Sequence, residues 1–284
     1  MVVIRAHADE FKARADTGVT NSPASHTIRF LSAIGTSDEN VLIVTPALQY
    51  EYVKSAQWTY QARLTANYAN GNLGTASGLG DILASAIYTT KTTTAWQSRV
   101  SFGVKIPLAL STLKANGRPL PMQYQSSLGT TDLIAGYTLG NNQLSFSVGF
   151  QQPIIQANQN TFLTTQDSRP EAKKYWSSQN LIRKPDALLR AAYIAPLAPK
   201  WLASASVLAI YHIGNDTYIN ENAERVALAG SQGLTLNGTA QLFYRASQKV
   251  QFSILAGRPF IVREIRPDGL TRNFILIPEI SILL

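Results

Sequence analysis

The chain of 284 residues contains no cysteine. Disulfides, thiolate metal sites and cysteine nucleophiles are therefore excluded, though the absence assigns no compartment. Histidine is nearly as scarce, with His7, His26 and His212 only. No HExxH, phosphate-loop or nucleophile-elbow motif accompanies them, so no metal, cofactor or enzymatic activity is expected. No apolar run approaches the roughly 20 residues that a membrane-spanning helix needs. Charged residues make up 15% against 45% hydrophobic ones, which excludes wholesale disorder. The net charge is +8, yet Lys and Arg are dispersed, with only short pairs such as Lys173-Lys174 and Arg183-Lys184. Without a basic stripe or a recognition motif, no nucleic-acid surface is expected. Dispersed positive charge suits anionic solutes or anionic lipid headgroups instead.

What the chain does have is alternation. Over residues 56–69, Trp58, Tyr60, Ala62, Leu64, Ala66 and Tyr68 share one parity, and Thr59, Gln61, Arg63, Thr65 and Asn67 the other. A strand sends successive side chains to opposite faces, so this segment has one apolar and one polar face. Similar segments are predicted near 26–34, 42–53, 56–69, 79–90, 94–106, 130–138, 142–154, 186–195, 200–213, 232–246, 249–262 and 271–284. Their connections alternate, short then long, the long ones near 35–41, 70–78, 107–129, 155–185, 214–231 and 263–270. Outer-membrane barrels separate tight periplasmic turns from long external loops in this way. The expected fold is all-β, an antiparallel up-and-down transmembrane β-barrel of about twelve strands spanning 26–284. Residues 1–25 would be an N-terminal tail or a small plug. A water-soluble sandwich is the competing fold. The opening residues lack the apolar core of a secretory signal, and Ala6-His7-Ala8 reads either as a cleavage signature or as coincidence.

Aromatic residues supply a second signal. Tyr52, Tyr88, Tyr137, Tyr193 and Tyr244 approach short turns, and Trp58, Trp96 and Trp201 leave them, all on the apolar parity. They would form a belt at one membrane interface. Phe30, Tyr68, Phe150, Tyr211 and Phe260 could supply the other. On the polar parity lie Glu51, Arg63, Asp81, Arg99, Lys105, Asp132, Arg190, Arg245 and Glu279, expected to face a lumen. Arg258 is the exception in parity.

Gly78-Leu79-Gly80-Asp81 is expected to open a strand after a long loop. Val104-Lys105-Ile106-Pro107 precedes a large external loop, and Leu128-Gly129-Thr130-Thr131-Asp132 opens the next strand. Together these resemble the outer-membrane β-barrel transporter family known as meta-pathway of phenol degradation proteins. The resemblance covers residues 42–155. Pro107 is followed by Leu-Ala where that family has Thr-Gly, and the terminal aromatic of barrel assembly signals is missing. The resemblance implies uptake of small, often hydrophobic or aromatic compounds.

The proposed turns set Arg63 opposite Ser85 and Ser85 opposite Arg99, with Arg190 at similar height. These residues, with Asp81, Asp132 and Glu51, are the candidate lumen and selectivity set. They form either a positive zone for anionic solutes or a neutralised polar network, with Asp81 pairing Arg63. Loop 155–185 either folds inward as a constriction or presents Tyr175-Trp176 to a protein partner. The expected function is an outer-membrane channel for small molecules, hydrophobic, aromatic or anionic, with the lipid bilayer as surroundings and both termini periplasmic. The alternative is a non-transporting scaffold. A surface Ser–His hydrolase is the enzymatic competitor, and His212 its nearest candidate.

Overall fold

The computed structural model describes residues 24–90 and 95–284. The tail or plug expected at 1–25 lies outside them, save its last two residues. Among the described residues, sixteen strands occur in chain order. They are β1 (Ser25–Thr36), β2 (Leu42–Val53), β3 (Trp58–Gly71), β4 (Gly74–Thr89), β5 (Gln97–Pro107), β6 (Lys114–Ala115), β7 (Arg118–Pro119) and β8 (Thr130–Gly140). There follow β9 (Leu144–Gln156), β10 (Asp186–Ala198), β11 (Trp201–His212), β12 (Thr217–Ile219), β13 (Arg225–Ala227), β14 (Gly233–Arg245), β15 (Val250–Ile261) and β16 (Phe274–Leu283). Twelve of them close an antiparallel barrel in the order β1-β2-β3-β4-β5-β8-β9-β10-β11-β14-β15-β16, and β16 pairs back to β1. The remaining four make two small hairpins, β6-β7 and β12-β13, inside long loops.

Each barrel strand follows from alternation. In β3, Trp58, Tyr60, Leu64 and Tyr68 point out and Thr59, Gln61, Arg63 and Asn67 point in. Every barrel strand carries a large apolar side chain exposed on the outer surface. They are Phe30, Leu48, Leu64, Leu79, Phe102, Leu133, Phe146, Leu189, Val207, Leu234, Phe252 and Phe274. Leu64 is 40% and Phe146 48% exposed, so among the described residues no second layer covers them. A water-soluble monomer rarely leaves more than a few hundred Å² of contiguous apolar surface in water. A sandwich would have buried this face between two sheets; the closed barrel does not.

Two sequence expectations need correction. The connection at 70–78 is not a long loop. β3 and β4 continue past that level and meet at a tight turn, with Gly71 opposite Gly74. Gly78–Asp81 therefore sits inside β4 instead of opening it. The turn signals Asn70, Gly71 and Asn72 mislead, because outward Asn70, Thr75 and Ser77 become polar where the hairpin stands above the greasy girdle. Second, the register differs. Arg63 faces Leu83, Ser85 faces Gln61 on one side and Gly103 on the other, and Arg99 faces Thr89. The connection from β4 to β5 runs over 90–96, longer than the tight turn expected, and that slides the pairing. Between β3 and β4 the tight turn at Gly71 and Gly74 slides the pairing, and a bulge takes back one residue of that slide, since Ala66 pairs Leu79 and Leu64 pairs Ile82. Thr65 thus opposes both Gly80 and Asp81, the two-against-one pattern of a β-bulge.

Candidate functional site: the lumen and its mouth

Inward side chains build the lumen wall. Glu51 receives Arg29 Nη2 at 3.1 Å and Gln61 Nε2 at 2.6 Å. Arg63 donates through Nε to Gln49 Oε1 at 2.9 Å. Arg190 Nε reaches Ser206 Oγ at 3.2 Å, and Ser206 meets Thr239 Oγ1 at 2.8 Å. Gln49, Glu51, Arg99, Ser147 and Ser253 are nearly fully buried, so side chains fill much of the interior, as a small barrel permits. Arg63, Ser85 and Arg190 keep partial exposure.

Asp81 does not pair with Arg63. It joins Lys105 and Asp132 in a separate cluster nearer the long-loop end. Lys105 Nζ lies 2.9 Å from Asp132 Oδ2, 3.8 Å from Asp81 Oδ2 and 3.0 Å from Thr130 Oγ1. Asp81 Oδ1 accepts from Ser127 Oγ, and Asp132 Oδ2 from Gln151 Nε2. Asp132 is wholly buried, and its second oxygen, Oδ1, has no hydrogen-bond donor. A buried carboxylate beside an ammonium is tolerated because neither charge is left alone.

At the long-loop end the barrel is capped by its own loops. Segments 108–129 and 157–185 turn inward onto an apolar patch formed by Val41, Ile43, Ala69, Leu73 and Ala76. Leu120, Tyr124, Phe162, Ala172 and Tyr175 complete that cluster. Tyr124 is its centre: its hydroxyl accepts from the Leu73 N–H at 3.1 Å and lies 3.2 Å from the Tyr175 hydroxyl. Burial, and then the Tyr124 hydroxyl, push the Tyr175 phenol well above the usual tyrosine range. The two loops are zipped by side-chain amides bonding to backbone. Asn160 Nδ2 donates to the carbonyls of Ser111 and Leu120 at 3.1 and 2.9 Å, and Gln125 Nε2 to that of Leu120 at 2.8 Å. Of the two aromatics singled out in this loop, Tyr175 turns inward and Trp176 stays 38% exposed.

A charged latch holds the other side of the mouth. Arg263 Nη2 pairs with Asp268 Oδ2 at 2.5 Å, and Arg183 Nε meets the same oxygen at 3.2 Å. Arg183 also pairs with Asp186. His212 is clamped between carboxylates, Nδ1 at 2.7 Å from Asp186 and Nε2 at 2.8 Å from Asp216. Burial alone would raise the Asp268 carboxyl, but the Arg263 and Arg183 guanidiniums outweigh it and hold it far below the usual range. Burial likewise disfavours the charge on Arg183, and the Asp186 and Asp268 carboxylates reverse that and raise its pKa. Both nitrogens of His212 are thus engaged inside the barrel, away from the outer surface where a Ser–His pair would work.

The sequence reading missed Tyr124, Arg183, Asp216, Arg263 and Asp268. A signal for Tyr124 existed. Segment 107–129 carries Leu108, Leu110, Leu113, Leu120, Met122 and Leu128, too apolar for a loop held in water. The latch charges had none, since nothing in their spacing shows that loops far apart in sequence meet.

The eight expected belt aromatics all lie on the outside near the short-turn rim. Trp58 and Tyr88 face each other across β3 and β4 with ring centroids 5.1 Å apart, and Trp201 and Tyr244 across β11 and β14 at 4.6 Å. Tyr137 and Tyr193 are exposed, as is Trp96 just before β5, and Tyr52 is half-buried beside Tyr60.

No family model and no curated sequence matches the chain. The resemblance to the phenol-degradation family therefore rests on its short motifs alone. Solved barrels match in shape. The KdgM porin, solved in complex with disordered oligogalacturonate, is 6% identical with a TM-score of 0.49, covering 90% of this chain and 98% of its own. The NanC porin is 10% identical at 0.49, covering 91% and 98%. Outer membrane phospholipase A from Escherichia coli is 10% identical at 0.39, covering 94% and 92%.

Proposed function

We propose that this chain is an outer-membrane channel that passes small polar or anionic solutes, with its short turns and both ends of the barrel on the periplasmic side. One observation carries the reading. Inside a barrel whose outer girdle is apolar save for Arg258, Arg63, Arg99 and Arg190 all point inward from the wall. A charge inside a protein wrapped by hydrocarbon is costly, and such groups usually mark a solute path. Guanidiniums favour carboxylate- or phosphate-bearing solutes over neutral aromatic ones. Hydrophobic or aromatic cargo is supported by the motif resemblance only.

The packed mouth favours a second reading, a barrel that docks partner proteins through loop 157–185, where Trp176 remains exposed. Planar-bilayer recording separates the two. The channel reading expects discrete conductance events with anions preferred, and a preference about tenfold weaker in the double variant Arg63→Ala, Arg99→Ala. Absence of events, together with a stably co-purifying protein, supports the scaffold; unchanged selectivity in the double variant removes these arginines from the path.

A further inference from the structure

A groove of 630 Å³ runs across the outer surface over β10, β11, β14 and β15. Its floor is a row of small side chains paired side by side across three strands: Ala205 opposite Ala240, and Ala240 opposite Ala256. Tyr193, Phe260 and Phe274 stand up as its walls. The Phe260 ring folds over Gly238, where an added Cβ would lie 2.4 Å from Phe260 Cε2, so the glycine gives this wall its seat. Beside it sits Arg258, opposite Gly238 and exposed. Among the described residues of the barrel strands, no other Lys, Arg, Asp or Glu occupies an outward-facing position.

An outward arginine near the bilayer midplane costs about 2–4 kcal/mol, falling toward the headgroups. Arg258 lies two residues short of Phe260, on the long-loop half of β15. Its long stem can lie in the groove while the guanidinium reaches up toward the headgroup level. A second copy of the chain fits this surface poorly, because the outward strand face holds no carboxylate to meet Arg258. A phosphate meets it well, since arginine binds phosphate through paired N–H donors.

We propose that this groove is a binding site for a phosphate-bearing lipid of net negative charge in the leaflet nearer the long loops, its phosphate left without the choline cation that would compete with Arg258. One acyl chain lies along the Ala205–Ala240–Ala256 floor, and the phosphate sits on the Arg258 guanidinium. The proposal rests on the reading of the barrel as membrane-embedded.

The test uses the full chain in vesicles of phosphatidylcholine with or without phosphatidylglycerol, followed by native mass spectrometry of the protein released into detergent. The wild type should retain phosphatidylglycerol about tenfold better than phosphatidylcholine, the ratio expected of one charge-assisted hydrogen-bonded contact. Arg258→Gln should abolish that preference while still retaining lipid, and Ala240→Leu should reduce retention of both lipids by filling the floor. A preference that survives Arg258→Gln, or retention unaffected by Ala240→Leu, overturns the proposal. So does a wild-type dimer that Ala240→Leu converts to monomer, which would identify a second copy as the occupant. If the protein inserts into both vesicles without lipid preference, only this site falls. Failure to float with either vesicle removes the membrane reading and the site with it.

Discussion

At the scale of single residues, close approach decides more than charge does. Gly80 occupies the bulge where β4 gives two residues to Thr65 alone. An added Cβ would lie 2.3 Å from Thr65 Oγ1 and 3.1 Å from the Ser126 carbonyl. Thr65 Oγ1 in turn takes the Asp81 N–H at 2.8 Å, so it cannot swing aside freely. Gly80→Val should therefore destabilise the folded barrel by about 1–3 kcal/mol, the usual cost of overpacking. A lower midpoint of urea-induced unfolding would show it; a midpoint within error of the wild type would mean that Ser126 and Thr65 relax without cost. The sequence showed a glycine beside an aspartate at this position but not the reason for it. The reason lies in Thr65 of the neighbouring strand and in a loop that folds back 46 residues later, where Ser127 reaches Asp81. Inward parity was legible residue by residue, and Glu51, Arg63, Arg99, Asp132 and Arg190 all face in. The partners were not, because a bulge or a longer turn changes which residues meet without changing which way they face.

At the scale of elements, strands were legible and loops were not. Twelve strands could be read because lipid-facing and lumen-facing positions impose a period of two, which needs no knowledge of neighbours. The failure at 70–78 has the same cause: once the hairpin rises beyond the apolar girdle, the rule reverses, and inward Ala69 and Ala76 pack on Tyr124 while outward Thr75 and Ser77 are polar. The loops at the mouth are held by two unlike devices, an apolar cluster around Tyr124 and a latch around Asp268. Around Asp268 stand Arg183 and Arg263, with His212, Asp186 and Asp216 beyond them. Because the Asp268 pKa is depressed on folding, its contribution is fully present above the unfolded value of about 3.9 and is lost as pH falls through the folded value. A nitroxide on a single cysteine at exposed position 264 (Glu264→Cys) would report the loop. Its line shape should be unchanged from pH 7 to pH 5, with a mobile component growing only below about pH 3.9. Asp268→Asn should show that component already at pH 7, since breaking a buried pair costs about 3–5 kcal/mol. Loosening of the wild type between pH 7 and 5 would mean that another group controls the latch.

At the scale of the whole molecule, one inversion explains the architecture. The core of this protein is not where its apolar side chains are most concentrated. Large apolar groups face outward on all twelve barrel strands, while arginine, glutamine, serine and threonine line the inside, together with smaller apolar clusters such as Ile194, Leu202 and Phe243. In water such a surface would aggregate; in hydrocarbon it is the surface that costs least, and closure of the sheet leaves no unpaired strand edge. The barrel, the aromatic rim, the lumen arginines and the lipid groove all depend on that surrounding medium. The absence of native cysteine makes it directly measurable. Single cysteines in place of Leu64, Phe146 and Leu234 on the outside, and of Ser147 and Thr239 on the inside, would carry nitroxides in reconstituted vesicles. The account predicts that the outward labels collide readily with oxygen, which partitions into hydrocarbon, and scarcely with a water-soluble nickel chelate, and that the inward labels lack this oxygen-rich signature. Outward labels as open to the nickel chelate as a label on an exposed loop would contradict it.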